Sequence, residues 1–259
     1  MRKASWSWII SGSALIALGG CGQPSEQARN ADVVATNEAA APPTDASPNP
    51  SAAQSPMPDR TPATAMASSA PLSCAADIGS AAAARRVAIC RNVSPATHPP
   101  CNAANSCAMI EDEIARSCAL FDGDGQPMPG CTVDPKSSQA AADVVRRYYA
   151  ALDARDFGTA WTQWGDDGKP GQTLKAFEGG FAHTRATRVT IGTLGPSEGG
   201  AGSIYQTVPV TVEATLDDGT AQRFTGTYTV RRINDVDGAS ASQLRWHIDF
   251  AQLRPAPSK

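Results

Sequence analysis

The stretch QLRWHIDF, Gln243 to Phe250, alternates apolar and polar side chains residue by residue. Leu244, Trp246, Ile248 and Phe250 fall on one face and Arg245, His247 and Asp249 on the other, the period of two expected of a strand with one buried side. The same period recurs upstream. Val189 and Ile191 alternate with polar residues, and Ile204, Val208, Val210 and Val212 do so at length. Asp218-Gly219 supplies a turn into a strand bearing Phe224, Tyr228 and Val230, and Asn234 to Ser242 connects that strand to the last one. Together these segments predict an antiparallel sheet with one apolar face, which needs a cover.

The cover lies just before the sheet. Ser137 or Ser138 can cap a helix over 140–154 whose face carries Val145, Tyr149 and Leu152, with Val144, Tyr148 and Ala151 beside them. Asp156 can cap a second, short helix with Phe157, Ala160, Trp161 and Trp164, ended by Asp166-Asp167-Gly168 and Pro170-Gly171. A third starts at Thr173 and sets Leu174, Phe177 and Phe181 on one side before Gly179-Gly180 weakens it. Helices followed by such a sheet predict an α+β layer fold over residues 138–254, the sheet curling over the helices.

The order of a long helix ending in AALDARDFGTAW (Ala150–Trp161), two shorter helices and four strands finishing in LRWHIDF resembles the nuclear transport factor 2-like cone fold. Bacterial lipoproteins and the N-terminal domains of some penicillin-binding transpeptidases carry similar domains. The resemblance spans less than half of the chain and implies a cone-shaped domain of three helices on a curved antiparallel sheet. It implies little about activity, because the scaffold hosts isomerases, dehydratases, carriers and non-catalytic accessory modules alike. Catalytic members are expected to hold an Asp or His inside the cone with a Tyr or second acid. The candidates here are Tyr148, Tyr149, Asp166, His183, His247 and Asp249, none within a recognisable signature. Asp166 sits in a turn, His183 in a connecting segment, and His247 and Asp249 on a polar strand face, so no catalytic residue is assigned. Tyr148, Trp161, Trp164, Phe181 and Tyr228 are candidate pocket residues, although each also sits at core spacing.

At the other end, Met1-Arg2-Lys3 precedes an apolar run from Trp6 to Leu18 that is too short for a permanent membrane span and reads as an export signal over residues 1–20. Leu18-Gly19-Gly20-Cys21 closes it and resembles the bacterial lipobox, which implies that Cys21 is acylated and begins the mature protein. Gly22 stands where an aspartate would resemble an inner-membrane retention signal, so the expected address is the outer membrane, periplasmic side. From Cys21 to residue 70 the chain is rich in Ala, Pro, Ser and Thr, as in APPTDASPNPSAAQ, and cannot bury enough apolar surface to order itself. It is expected to be a tether of ~50 residues reaching roughly 40 Å, a reading favoured over a proline-rich recognition ligand.

Apart from Cys21, six cysteines lie within residues 71–135: Cys74, Cys90, Cys101, Cys107, Cys118 and Cys131. In an oxidising compartment they favour three disulfides, whereas a zinc site lacks any C-x-x-C pair and has only His98 nearby. Fifteen pairings are open to six cysteines. Ser80–Cys90 and Ser106–Phe121 read as helices; in the second, Cys107, Ile110, Ile114 and Cys118 share a face while Glu111, Asp112, Glu113 and Arg116 fall largely elsewhere. Cys107 and Cys118 are then about 16 Å apart along the helix and cannot pair with each other. Asp122-Gly123-Asp124-Gly125 lacks the later ligands of a calcium loop, having Pro127 and Val133 where Gly and Glu are needed, and reads as a turn. All six of these cysteines precede Ser138, so the small module is expected to unfold independently of the larger domain.

The net charge of −3 provides no basic excess for nucleic acid. The sequence thus predicts a lipid-anchored envelope protein with a non-catalytic binding or accessory domain, without cofactor or metal. Its expected partners are the membrane, through the Cys21 lipid, and an envelope protein or small ligand. The alternative is an isomerase- or dehydratase-like enzyme acting on a small periplasmic substrate.

Overall fold

A computed structural model describes residues 70–96, 100–121 and 128–257. Cys21, the segments expected to be a signal and a tether, His98 and residues 122–125, expected to form a turn, lie outside the described residues. Ser73, whose hydroxyl accepts the Ala76 amide, starts α1 (Cys74–Ile78). Gly79, at a φ of 83° that favours glycine, turns the chain into α2 (Ser80–Val93), which stops ahead of Pro95. Ser106 caps α3 (Cys107–Phe121) by accepting the Met109 amide. Three disulfides, Cys74–Cys107, Cys90–Cys101 and Cys118–Cys131, staple these helices. Cys107 and Cys118 each bond to another segment, as the helical rise between them requires. Ala83, Val87 and Val93 of α2 pack on Ile110 and Ile114 of α3, giving the module a small core around its cystines.

Next come α4 (Ser138–Asp153), α5 (Phe157–Thr162) and α6 (Leu174–Gly180). Their N-caps are Ser137, Asp156 and Thr173, each accepting an amide three residues on. The sheet follows as β1 (Thr184–Ile191), β2 (Glu198–Gly200), β3 (Ser203–Leu216), β4 (Ala221–Ile233) and, after α7 (Ala241–Leu244), β5 (His247–Pro255). All pairings are antiparallel in the order β1-β3-β4-β5, with β2 pairing the start of β3. The protein is therefore α+β, with three helices packed on an antiparallel sheet and a disulfide-stapled helical region before them.

Register aligns the inward rows: Val208 opposes Tyr228, Val212 opposes Phe224, and Val230 opposes Ile248. These rows meet Val144, Val145, Tyr148, Tyr149 and Leu152 of α4 in one core. Two inward positions are polar and buried. Gln206 bonds Ser197 and the carbonyls of Gly195 and Thr207, and Arg232 bonds Asp235 while lying over the Trp246 ring at 5.6 Å. Gly226 allows β5 to approach β4, since a Cβ there would come within 1.9 Å of the Gln252 carbonyl oxygen.

The structure corrects two expectations. Leu244 belongs to α7, where Ser240 and Gln243 form a capping box, and β5 begins only at His247. Phe250 is 59% exposed, not inward. Val230 pairs Ile248 but Thr229 pairs Phe250, so Asp249 is an extra residue in a bulge and the inward parity passes to Ala251 and Leu253. Off the apolar face of α3, Asp112 and Glu113 are still only 8% exposed, because α3 is covered on two sides, by α2 and by α4 and α5.

Candidate functional site

The space beneath the sheet is occupied by aromatic rings. Tyr148 touches Trp164 at 6.0 Å and Tyr228 at 6.1 Å between ring centres, and Phe177 touches Trp161 at 5.5 Å and Phe181 at 5.1 Å. Tyr148, Trp164 and Tyr228 are buried; Trp161 and Phe181 close the outer side of the cluster half-buried. Tyr149 and Tyr228 share a hydrogen bond of 2.7 Å between hydroxyls. Burial raises the proton affinities of Tyr148, Tyr149 and Tyr228 well beyond the ordinary tyrosine range, so all three stay neutral. The five candidate pocket residues thus come together, as a packed cluster in which ring meets ring.

An open space exists instead beside α3. Ser106, the cap of α3, donates to Asp156, the cap of α5, at 2.5 Å, and the same carboxylate accepts the Thr159 amide and hydroxyl at 3.0 and 2.8 Å. Two helix starts are thereby tied through one buried carboxylate, whose charge suits both dipoles. Further along α3, Asp112 accepts from Gln163 Nε2 at 2.9 Å and stands 3.5 Å from Arg147 Nε and 3.3 Å from Arg116 Nε. Next to this seam lies a cleft of about 770 Å³, walled by α3, the 130–136 segment, α4, the end of α5, α7 and the start of β5.

The walls of the cleft combine apolar and charged groups. Ile114, Leu120, Val133, Leu244 and Trp246 supply apolar surface, and Leu120 and Val133 are exposed. Arg86 pairs with Glu111, Arg116 with Glu113 at 2.7 Å, and Arg146 with Asp143 at 2.5 Å. Arg147 and Arg245 are less satisfied. Arg147 meets Gln163 and Asp112 through Nε alone, and its two terminal nitrogens bond no side chain or carbonyl among the described residues. Among the described residues, the Arg245 side chain reaches only the exposed Asp166, at 3.4 Å.

The candidate acids and bases do not converge under the sheet. Asp166 and His247 border the cleft, with His247 Nδ1 at 3.2 Å from the Arg245 carbonyl and its proton affinity lowered mainly by burial. His183 is exposed near Asp217, and Asp249 is exposed in the bulge. Periodicity missed Asp112, Arg147, Gln163 and Arg245 as a group, because they lie on α3, α4, the C-cap of α5 and the turn before β5. Only the capping residues Ser106 and Asp156 carried a local signal.

No family model matches the chain, and no curated protein matches it. Among solved structures it is similar to a conserved protein from Planctomyces limnophilus DSM 3776, with 15% identity, 46% of this chain and 96% of that chain covered, and a TM-score of 0.34.

Proposed function

We propose that this chain is a lipid-anchored envelope protein whose folded part is a non-catalytic binding or accessory module, with the cleft beside α3 as its docking site. The carrying observation is a contrast. Beneath the sheet the space is taken by Tyr148, Tyr149, Trp164, Phe177 and Tyr228, whereas the cleft is open, about 770 Å³, and lined by both apolar and charged groups. The enzymatic alternative needs an acid and a base converging on a reacting atom; Asp166 is engaged by Arg245 and His247 by a backbone carbonyl. The anchoring half rests on Leu18-Gly19-Gly20-Cys21, and three helices before the sheet support kinship with the nuclear transport factor 2-like fold. Cross-linking the lipidated chain in its own envelope tests the reading. Ser242→Trp, which fills the cleft from α7, is expected to lose the partner recovered by the wild type while keeping its fold. Full recovery by that variant, or turnover of a small substrate that His247→Ala abolishes, would overturn it.

A further inference from the structure

Resting on the cleft as a docking site, we propose that Arg116, Arg147 and Arg245 form an anion site for the free carboxylate of a peptide. All three side chains line the same cleft. Arg116 and Arg147 converge on Asp112, each within 3.5 Å through Nε. Asp112 and Glu113 are buried at 8% exposure and hold these two guanidiniums in place, which leaves the terminal nitrogens of Arg147 without a partner among the described residues.

Arg245 completes the set. Burial holds its guanidinium below the usual range; Asp112 and Asp166 pull against this, and the positive charges of Arg116 and Arg147 add to it. A guanidinium does not deprotonate in such a setting, so it remains a cation under repulsion from two others. An incoming anion relieves that repulsion and meets donors already in position, without the cost of ordering them. Asp166, 64% exposed and 3.4 Å away, is the weakest of the competing carboxylates and the one a ligand displaces.

The geometry favours a carboxylate on a peptide over a bare ion. A guanidinium fork matches the planar carboxylate with two parallel bonds. Leu120 and Val133, exposed at 59% and 39%, and the half-buried Leu244 line the same cleft and offer apolar surface to the side chains preceding that carboxylate.

The test is calorimetric titration of the full chain in detergent, disulfides intact and at low salt, with acetyl-Leu-Ala-Ala bearing a free C-terminus and with its amide. The acid is expected to bind and the amide to bind at least about tenfold more weakly, the loss of a charge-assisted hydrogen bond. Arg245→Gln and Arg147→Gln should each weaken the acid by about tenfold or more and leave the amide unchanged, with Arg245→Lys recovering only part. Thermal melts identify any variant that fails to fold, and Arg245, being nearer the surface, gives the decisive comparison. Equal binding of acid and amide overturns the anion site but leaves the docking cleft standing. Displacement of the acid by equal concentrations of inorganic phosphate overturns the peptide carboxylate. Absence of binding by both peptides to folded protein overturns the site, while the Ser242→Trp cross-linking result judges the cleft separately.

Discussion

Trp246 is 7% exposed, in contact with the core beneath the sheet and covered by the Arg232 guanidinium. Trp246→Ala leaves a cavity there and is expected to cost about 3–5 kcal/mol in a urea melt. Its neighbour behaves differently. Burial lowers the proton affinity of His247 in the fold, so the unfolded chain binds more protons just below its own pKa of about 6.5. Stability from this residue is therefore complete above about pH 6.5 and is lost as pH falls towards the lower folded value. His247→Gln should flatten the decline in melting temperature between about pH 6.5 and 5; parallel curves for the two proteins would show that another group is responsible. The inward setting of Trp246 and Ile248 was legible because alternation holds as far as Ile248. The outward turn of Phe250 was not, because the bulge at Asp249 is made by pairing with β4 and leaves no trace in the local pattern.

Helix α3 shows how an element can satisfy its periodicity and still hold a second contact face that periodicity does not reveal. Cys107, Ile110, Ile114 and Cys118 mark one apolar face correctly, but a second face, Ala108 with Asp112, meets α4 and α5 through a polar seam that no hydrophobic count registers. The N-caps were readable because Ser and Asp solve a local problem, four amides without partners. That the two caps, Ser106 of α3 and Asp156 of α5, bond to each other was not, since they stand fifty residues apart. Asp156→Ala removes three acceptor contacts at once and leaves the buried Ser106 hydroxyl without this acceptor, an expected loss of about 2 kcal/mol or more by denaturant titration. In the sheet, Gly226→Ala sets a methyl 1.9 Å from the Gln252 oxygen. Backbone cannot yield as a side-chain tip does, so at least about 2 kcal/mol should be lost, together with amide protection along β5 in hydrogen exchange.

Independent unfolding of the cysteine module would follow if 71–135 and 138–254 met only at the surface. They share buried bonds at Ser106–Asp156 and Asp112–Gln163, and Ala108 enters the core beneath the sheet. Reduction is accordingly expected to lower the melting temperature of the larger part as well, by about 4 °C or more if the seam contributes 1 kcal/mol. A proteolytic fragment starting near Pro135 that melts like the intact protein would sink this expectation. The proposed anchoring at Cys21 has its own test: under it, Cys21→Ser is expected to move the chain from the membrane fraction to a soluble or uncleaved form, since one residue would carry the acyl chains. The six bridged cysteines have a further consequence, in their order along the chain. Cys74–Cys107 encloses Cys90–Cys101, and Cys118–Cys131 follows outside it. A chain oxidised progressively from its N-terminal side presents Cys74 and Cys90 before the other four, and those two are not partners. A premature bridge between them has to be broken by a third thiol before Cys74 can pair with Cys107, so oxidant alone should strand part of the protein, whereas a mixture of reduced and oxidised glutathione should carry it through. The order of the cysteines thus makes disulfide reshuffling, as well as oxidation, an expected requirement for refolding in good yield.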